Sequence, residues 1–153
     1  MSRLRESLVE LIRRTSAEIP DDVQSAILRG LEQEKEGTIA KSAMEIIERN
    51  IGLAKSKSQP ICQDTGSILF YVDCPVGLNQ VEFEREAREA VKEATRLGYL
   101  RQNSVDSITG KNDGTNLGPG APNLHFHQHE TDDIVVRLIL KGGGCENVGA
   151  QFS

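Results

Sequence analysis

The chain has 153 residues, of which 37% are hydrophobic and 27% charged, a composition that predicts one globular unit rather than a disordered tail, a collagen-like repeat or a membrane span. No run approaches the ~18 apolar residues that a spanning helix needs, and no apolar block marks a secretory leader, so the cytoplasm is the expected compartment. The net charge of −5 falls on residues 61–153, which hold eight basic and thirteen acidic side chains, and without a basic stripe no nucleic-acid partner is expected.

Leu4, Leu8, Leu11 and Ile12 recur at helical spacing, which predicts a first helix over residues 3–15. Pro20-Asp21-Asp22 opens a second, with its acidic residues at the positive end of the helix dipole and Val23, Ile27 and Leu31 as its stripe. Gly37 breaks it, and Ile39, Ala43, Ile46 and Ile47 mark a third that ends between Asn50 and Lys57. Residues 1–57 thus read as a helical segment whose role is packing. Pro60 then excludes helix, and Ile61 to Gly66 forms a turn. Residues 67–73 read as a strand, residues 80–97 as a helix closed by Gly98, and residues 98–121 as a long polar loop. Two further strands, near 123–130 and 134–140, are joined at Thr131-Asp132-Asp133 as a plausible hairpin.

The expected fold class is α+β. An N-terminal helical bundle packs on a small mixed sheet, the helix at 80–97 crosses over, and glycine-rich loops form the site. The chain divides at residue 58 into the helical segment and a site-bearing segment, 58–153. The turns at Cys62 and Cys145 are expected to converge at one end of the sheet with Arg101 nearby.

Four stretches could carry chemistry. In Pro60-Ile61-Cys62-Gln63-Asp64-Thr65-Gly66 a soft ligand stands beside an acid/base group; the plainer reading is a buried cysteine next to a turn-capping aspartate. Lys141-Gly142-Gly143-Gly144-Cys145-Glu146-Asn147 either offers backbone N–H groups to an anion or is only a flexible loop. In the 100–116 loop, Arg101 could grip a carboxylate while Asn103, Asn112 and Asn116 orient polar groups, or the loop is solvated surface. His125, His127 and His129 alternate along a strand, so they share one face; they bind a metal such as zinc or line a wet face. A helical interaction domain with no site of its own is a third possibility, against which the glycine-rich segments argue.

Three cysteines, Cys62, Cys74 and Cys145, do not suggest disulfides in a cytosolic chain. Cys74 is a poor partner for Cys62 in one metal centre, since a strand of this length separates them by ~20 Å or more.

Taken together, Cys-Gln-Asp-Thr-Gly at 62–66, Lys-Asn-Asp-Gly-Thr-Asn-Leu at 111–117 and Gly-Gly-Gly-Cys-Glu-Asn at 142–147 resemble the alpha subunit of the iron–sulfur hydro-lyases. These are the class I fumarate hydratases and L-tartrate dehydratases, and the resemblance covers roughly residues 58–153. It implies a [4Fe-4S] cluster held by three cysteine thiolates with one iron open as a Lewis acid. By position, Cys62 and Cys145 resemble two cluster ligands, Gln63 and Arg101 resemble substrate-carboxylate ligands, and Asp64 resembles the acidic residue at the reacting centre. The third cysteine is expected beyond residue 153. A beta subunit or C-terminal domain is expected as partner, in an oligomer acting on a small dicarboxylate. The chain is therefore expected to be the front part of a larger catalytic unit, with at most weak cluster binding and no turnover alone.

Overall fold

The computed structural model describes residues 2–62 and 64–143. Seven elements follow in order: α1 (Arg3–Ala17), α2 (Asp21–Gln33), α3 (Ile39–Lys57), β1 (Ser67–Pro75), α4 (Gln80–Arg96), β2 (Asn123–His129) and β3 (Val135–Lys141). The fold class is α+β, as the hydrophobic periodicity predicts. No helix among the described residues is long and apolar enough to cross a membrane.

The helix ends follow local chemistry. The Ser2 side chain accepts from the Arg5 N–H at 3.2 Å and starts α1. Thr38 does the same for α3 through the Lys41 N–H at 3.1 Å, and Asn79 for α4 through the Glu82 N–H at 3.1 Å. Such a cap contributes about 1 kcal/mol by satisfying a backbone donor with no partner inside the helix. α3 ends where Ser58 takes a left-handed conformation, φ 51°, and Pro60 follows.

The sheet has the order β2-β1-β3. β2 lies parallel to β1, so α4 is the crossover between them, while β3 runs antiparallel along the other edge. The expected hairpin of residues 123–140 is therefore corrected: β2 and β3 never pair, because β1 lies between them. The physical reason is burial. β1 carries the four-residue apolar row Ile68, Phe70, Val72 and Cys74, all fully buried, and a strand buried this deeply must satisfy both of its backbone edges. Residues 130–134 are long enough to cross over its end, since strands lie only ~4.8 Å apart.

One face of the sheet holds the core. Leu8 and Ile12 of α1 meet Phe83, Ala87, Ala90, Val91 and Ala94 of α4 over the β1 row. The alanines let the two helices approach closely, and each large apolar side chain buried contributes roughly 1.5–3 kcal/mol. Phe83 meets Phe126 of β2 edge to face, with centroids 5.7 Å apart. At the rim, Arg5 of α1 pairs with Glu86 of α4 at 2.9 Å. Within the helical bundle it is α1 that lies on the sheet. α2 and α3 form a hairpin attached through α3 and α1, with a groove of about 350 Å3 between them lined by Val23, Ile27, Ile46 and Ile47.

The opposite face of the sheet is open. Tyr71 stacks on His125 with centroids 4.8 Å apart, and Asp73 pairs diagonally with Arg137, whose register partner is Tyr71.

Candidate functional site

Three segments meet at the end of the sheet where β1 and β2 begin and β3 ends: residues 58–62 with 64–66, the loop entering β2, and residues 142–143. Each is locked to the next by a contact that sequence alone does not announce.

The first lock is steric. Gly66 has φ +60°, and a Cβ built on it would lie 1.8 Å from the carbonyl oxygen of Lys141 and 2.7 Å from the Gly142 Cα. Only glycine permits this approach, so the cysteine-bearing turn is pressed flat against the end of β3. The second lock is polar. The Gly143 N–H donates to Asp64 Oδ2 at 2.9 Å, which orients the carboxylate and ties the turn to the start of the glycine run.

The third lock holds the arginine loop. Thr65 is buried, and a hydroxyl can donate and accept at once. Its Oγ1 accepts from the Arg101 N–H at 2.7 Å and donates to the Arg101 carbonyl at 3.0 Å. Arg101 itself is exposed. Behind it stands Asn116, 1% exposed and in the left-handed region at φ 57°. Its Oδ1 accepts from the N–H groups of Asn103 at 3.0 Å and Ser104 at 3.2 Å. Its Nδ2 donates to the Arg101 carbonyl at 2.7 Å and to Thr95 Oγ1 at 3.1 Å.

The turn is also anchored from below. The Ile61 N–H donates to the Ser16 carbonyl at the end of α1, at 2.9 Å, and Asn50 Nδ2 of α3 donates to the Ile61 carbonyl at 3.2 Å. Pro60, Ile61, Cys62, Asp64, Thr65, Leu100 and Leu140 line a narrow cleft of about 100 Å3. Arg101 lines an adjoining, wider hollow that shares Pro60 and Leu100 with that cleft. Cys62 is exposed with a free thiol, which removes the buried-cysteine reading of this turn.

Of the residues singled out from the sequence, Cys62, Asp64 and Arg101 are brought to one end of the sheet. Gln63 and Cys145 lie outside the described residues. The asparagines of the long loop bond the chain itself: Asn103 Oδ1 accepts from the Thr65 N–H at 3.5 Å. Asn112 bonds the Gln102 carbonyl at 2.7 Å and the Gly114 N–H at 2.7 Å, and Asn116 is the strut described above. Asp106 and Asp113 fold the remainder into tight turns. Donors from Thr109 and Ile108 hold the Asp106 carboxyl below its ordinary value, and the hydroxyl and N–H of Thr115 do the same for Asp113. Thr65 and Asn116 were not separable from their neighbours as supports. The available signal was an asparagine after Gly-Thr, the non-glycine residue type that most readily takes a left-handed conformation.

The histidines face the open side of the sheet, with the His127 side chain 83% exposed. Among the described residues no three His, Cys, Asp or Glu side chains are grouped to hold a metal ion. Cys74 is fully buried in the core at the opposite end of β1.

A family model described as fumarate hydratase (Fumerase) matches residues 5–153. Over 153 aligned residues the chain is 48% identical to a Geobacillus stearothermophilus protein provisionally named a class I fumarate hydratase, covering all of this chain and 30% of that protein. It is 31% identical to a Methanocaldococcus jannaschii protein provisionally named an L(+)-tartrate dehydratase subunit alpha, covering 97% of this chain and 53% of the relative. It is 29% identical to the Escherichia coli K12 L(+)-tartrate dehydratase subunit alpha, covering 95% of this chain and 48% of that subunit. The chain thus spans between about a third and a half of the relatives it matches.

Proposed function

Because this chain belongs to the fumarate hydratase (Fumerase) family, we propose that it is the N-terminal part of the alpha catalytic unit of a hydro-lyase, adding water to or removing it from a small dicarboxylate at a [4Fe-4S] cluster. The observation that carries this reading is the 2.9 Å bond from the Gly143 N–H to Asp64. It joins the two segments that bear Cys62 and Cys145, as a shared centre requires.

The described residues fit such a group. Cys62 offers an exposed, free thiol, and Gly142 and Gly143, which lie against Gly66 and Asp64 of the same turn, carry no side chain. Cys62 and Cys145 would hold the cluster, with a third cysteine from beyond residue 153. When bound, the cluster supplies a Lewis-acidic iron that polarises the substrate hydroxyl.

The remaining chemistry belongs to the chain. Asp64, oriented by Gly143, holds or moves a proton at the reacting carbon–oxygen centre. Arg101 reaches a substrate carboxylate through its planar fork, and Gln63 adds a polar contact to the same carboxylate. Pro60, Ile61, Leu100 and Leu140 line the cleft beside Asp64 with apolar side chains, and a carboxylate held against such a wall feels its partners more strongly than one in open water. A C-terminal domain or beta subunit completes the substrate site, in a cytoplasmic oligomer whose alpha unit divides into the 1–57 helical segment and the 58–153 site segment.

The test is anaerobic iron–sulfur reconstitution with the C-terminal segment and beta subunit supplied. Cys62→Ser and Cys145→Ser are each expected to abolish the cluster absorbance and hydration of fumarate or dehydration of L-tartrate. Retention of both in either variant overturns the reading.

A further inference from the structure

The geometry points to Thr65 and Asn116 as a two-residue clamp that sets the position of Arg101 against Asp64, so that both are positioning residues for carboxylate recognition although their own polar groups are bonded to the chain. The inference rests on the proposed role of Arg101 as a carboxylate ligand.

The argument begins with connectivity. Thr65 follows Asp64 directly in the chain, so whatever Thr65 grips is held in register with the Asp64 carboxylate. What it grips is the backbone of Arg101 from both sides, N–H and carbonyl. The same carbonyl receives a second hydrogen bond from Asn116 Nδ2 at 2.7 Å. With the Asn103 N–H as a third donor at 3.0 Å, this carbonyl has both lone pairs engaged, which removes the freedom of the peptide plane following Arg101.

Asn116 extends the grip along the loop. Its single oxygen takes the N–H groups of Asn103 and Ser104, and its nitrogen reaches Thr95 Oγ1, itself bonded to the Val91 carbonyl of α4 at 2.8 Å. Residues 101–104 are therefore fastened to the last turns of α4, the helix that forms half of the core. The whole amide is used: two donations and two acceptances in a residue 1% exposed. A side chain this committed is not available to a ligand, and its left-handed backbone is strain that its bonds must offset.

Without the clamp, Arg101 would sit on an exposed loop and would have to be ordered by each substrate molecule. With it, the guanidinium starts from a fixed root. Placement of this kind governs how well a carboxylate is bound and oriented, since small displacements of a binding group are costly.

The experiment separates Thr65→Val, which keeps the shape and deletes the hydroxyl, from Thr65→Ser, which keeps the hydroxyl. Asn116→Asp, which keeps the oxygen and deletes both N–H donors, is the second site. Two readouts are taken. In the reconstituted enzyme, Thr65→Val and Asn116→Asp are expected to raise KM for fumarate or L-tartrate at least tenfold with kcat and cluster absorbance changed less than threefold, and Thr65→Ser to stay within twofold of the parent in KM. In the 153-residue chain itself, amide exchange at residues 101–104 is expected to accelerate in the first two variants and not in Thr65→Ser. Unchanged KM in folded variants overturns the clamp as a positioning device. A parallel loss of kcat, KM and cluster content overturns it too, by assigning the two residues to general stability. If Arg101→Ala leaves KM unaltered, the role of Arg101 in the proposed function fails instead, whatever the exchange rates show.

Discussion

Asp64 and Gly143 are far apart in the chain and joined by one hydrogen bond of 2.9 Å. The bond uses a backbone donor, so it survives any change of side chain at position 143 that the backbone tolerates, and it leaves Asp64 as the replaceable partner. Asp64→Asn keeps an oxygen for the Gly143 N–H while removing the acid/base group. The variant is expected to fold and load iron as the parent does, with turnover lower by about 100-fold or more. Circular dichroism and iron content check the first half, and steady-state hydration the second. An active Asp64→Asn enzyme removes the proton-transfer role.

Gly66 is expected to tolerate no side chain. Gly66→Ala combines a left-handed backbone with a Cβ 1.8 Å from the Lys141 oxygen, and should cost at least ~2 kcal/mol in urea denaturation. Gly110→Ala is the control. Gly110 has φ +66° but open space around its Cβ, so only the conformational part, about 1 kcal/mol, is expected. Equal losses at the two positions would show that the contact with β3 is soft.

Cys74 and Cys62 should behave oppositely. Cys74→Ser places a hydroxyl in the fully buried apolar row of β1, for an expected loss of about 1–3 kcal/mol if the hydroxyl finds no partner, with iron content unaffected. Cys62→Ser, at an exposed position, should leave the denaturation midpoint nearly unchanged and lose the iron. Iron loss in folded Cys74→Ser would instead tie that thiol to the cluster.

Acid should loosen the contact between α1 and α4 through Glu86. Its hydrogen bond from Arg5, and then that from Ser2, hold its carboxyl below the ordinary glutamate value. A lowered folded-state pKa means that the stabilisation is present above the unfolded value and fades as pH falls through the folded one. Glu86→Gln is therefore expected to lower Tm most near neutral pH, with the gap to the parent closing below about pH 4. A gap that stays constant across this range would assign the loss to packing rather than charge.

The elements were legible because their signals are local. Leu4, Leu8, Leu11 and Ile12 recur at helical spacing, Pro20-Asp21-Asp22 opens a helix, Gly37 and Gly98 close helices and Pro60 excludes one, and the observed α1 to α4 follow these marks. The turn at Cys62 was legible as chemistry through its neighbours in the chain. What could not be read was which strand pairs with which, since β2 and β3 look alike as hairpin arms and only burial of both edges of β1 decides. Nor could the clamp be read, since Thr65 and Asn116 act on a backbone that pattern does not encode. Two readings stood open for Asn112 and Asn116, a ligand-orienting group or solvated surface, because an asparagine offers its amide equally to a substrate or to the chain; here the chain takes it.

The strand order also governs when the site can exist during synthesis. β1 emerges first, yet Phe70 finds its neighbours only when Leu124 and Leu138 have been made, and Gly66 meets Lys141 last. Each of these closures spans a long stretch of chain, and long-range closures are the slow ones in folding. The cysteine turn therefore stays unwalled until β3 has been made, with its thiol open to oxidants in the interval. The walls of this turn are thereby completed only when β3 has docked.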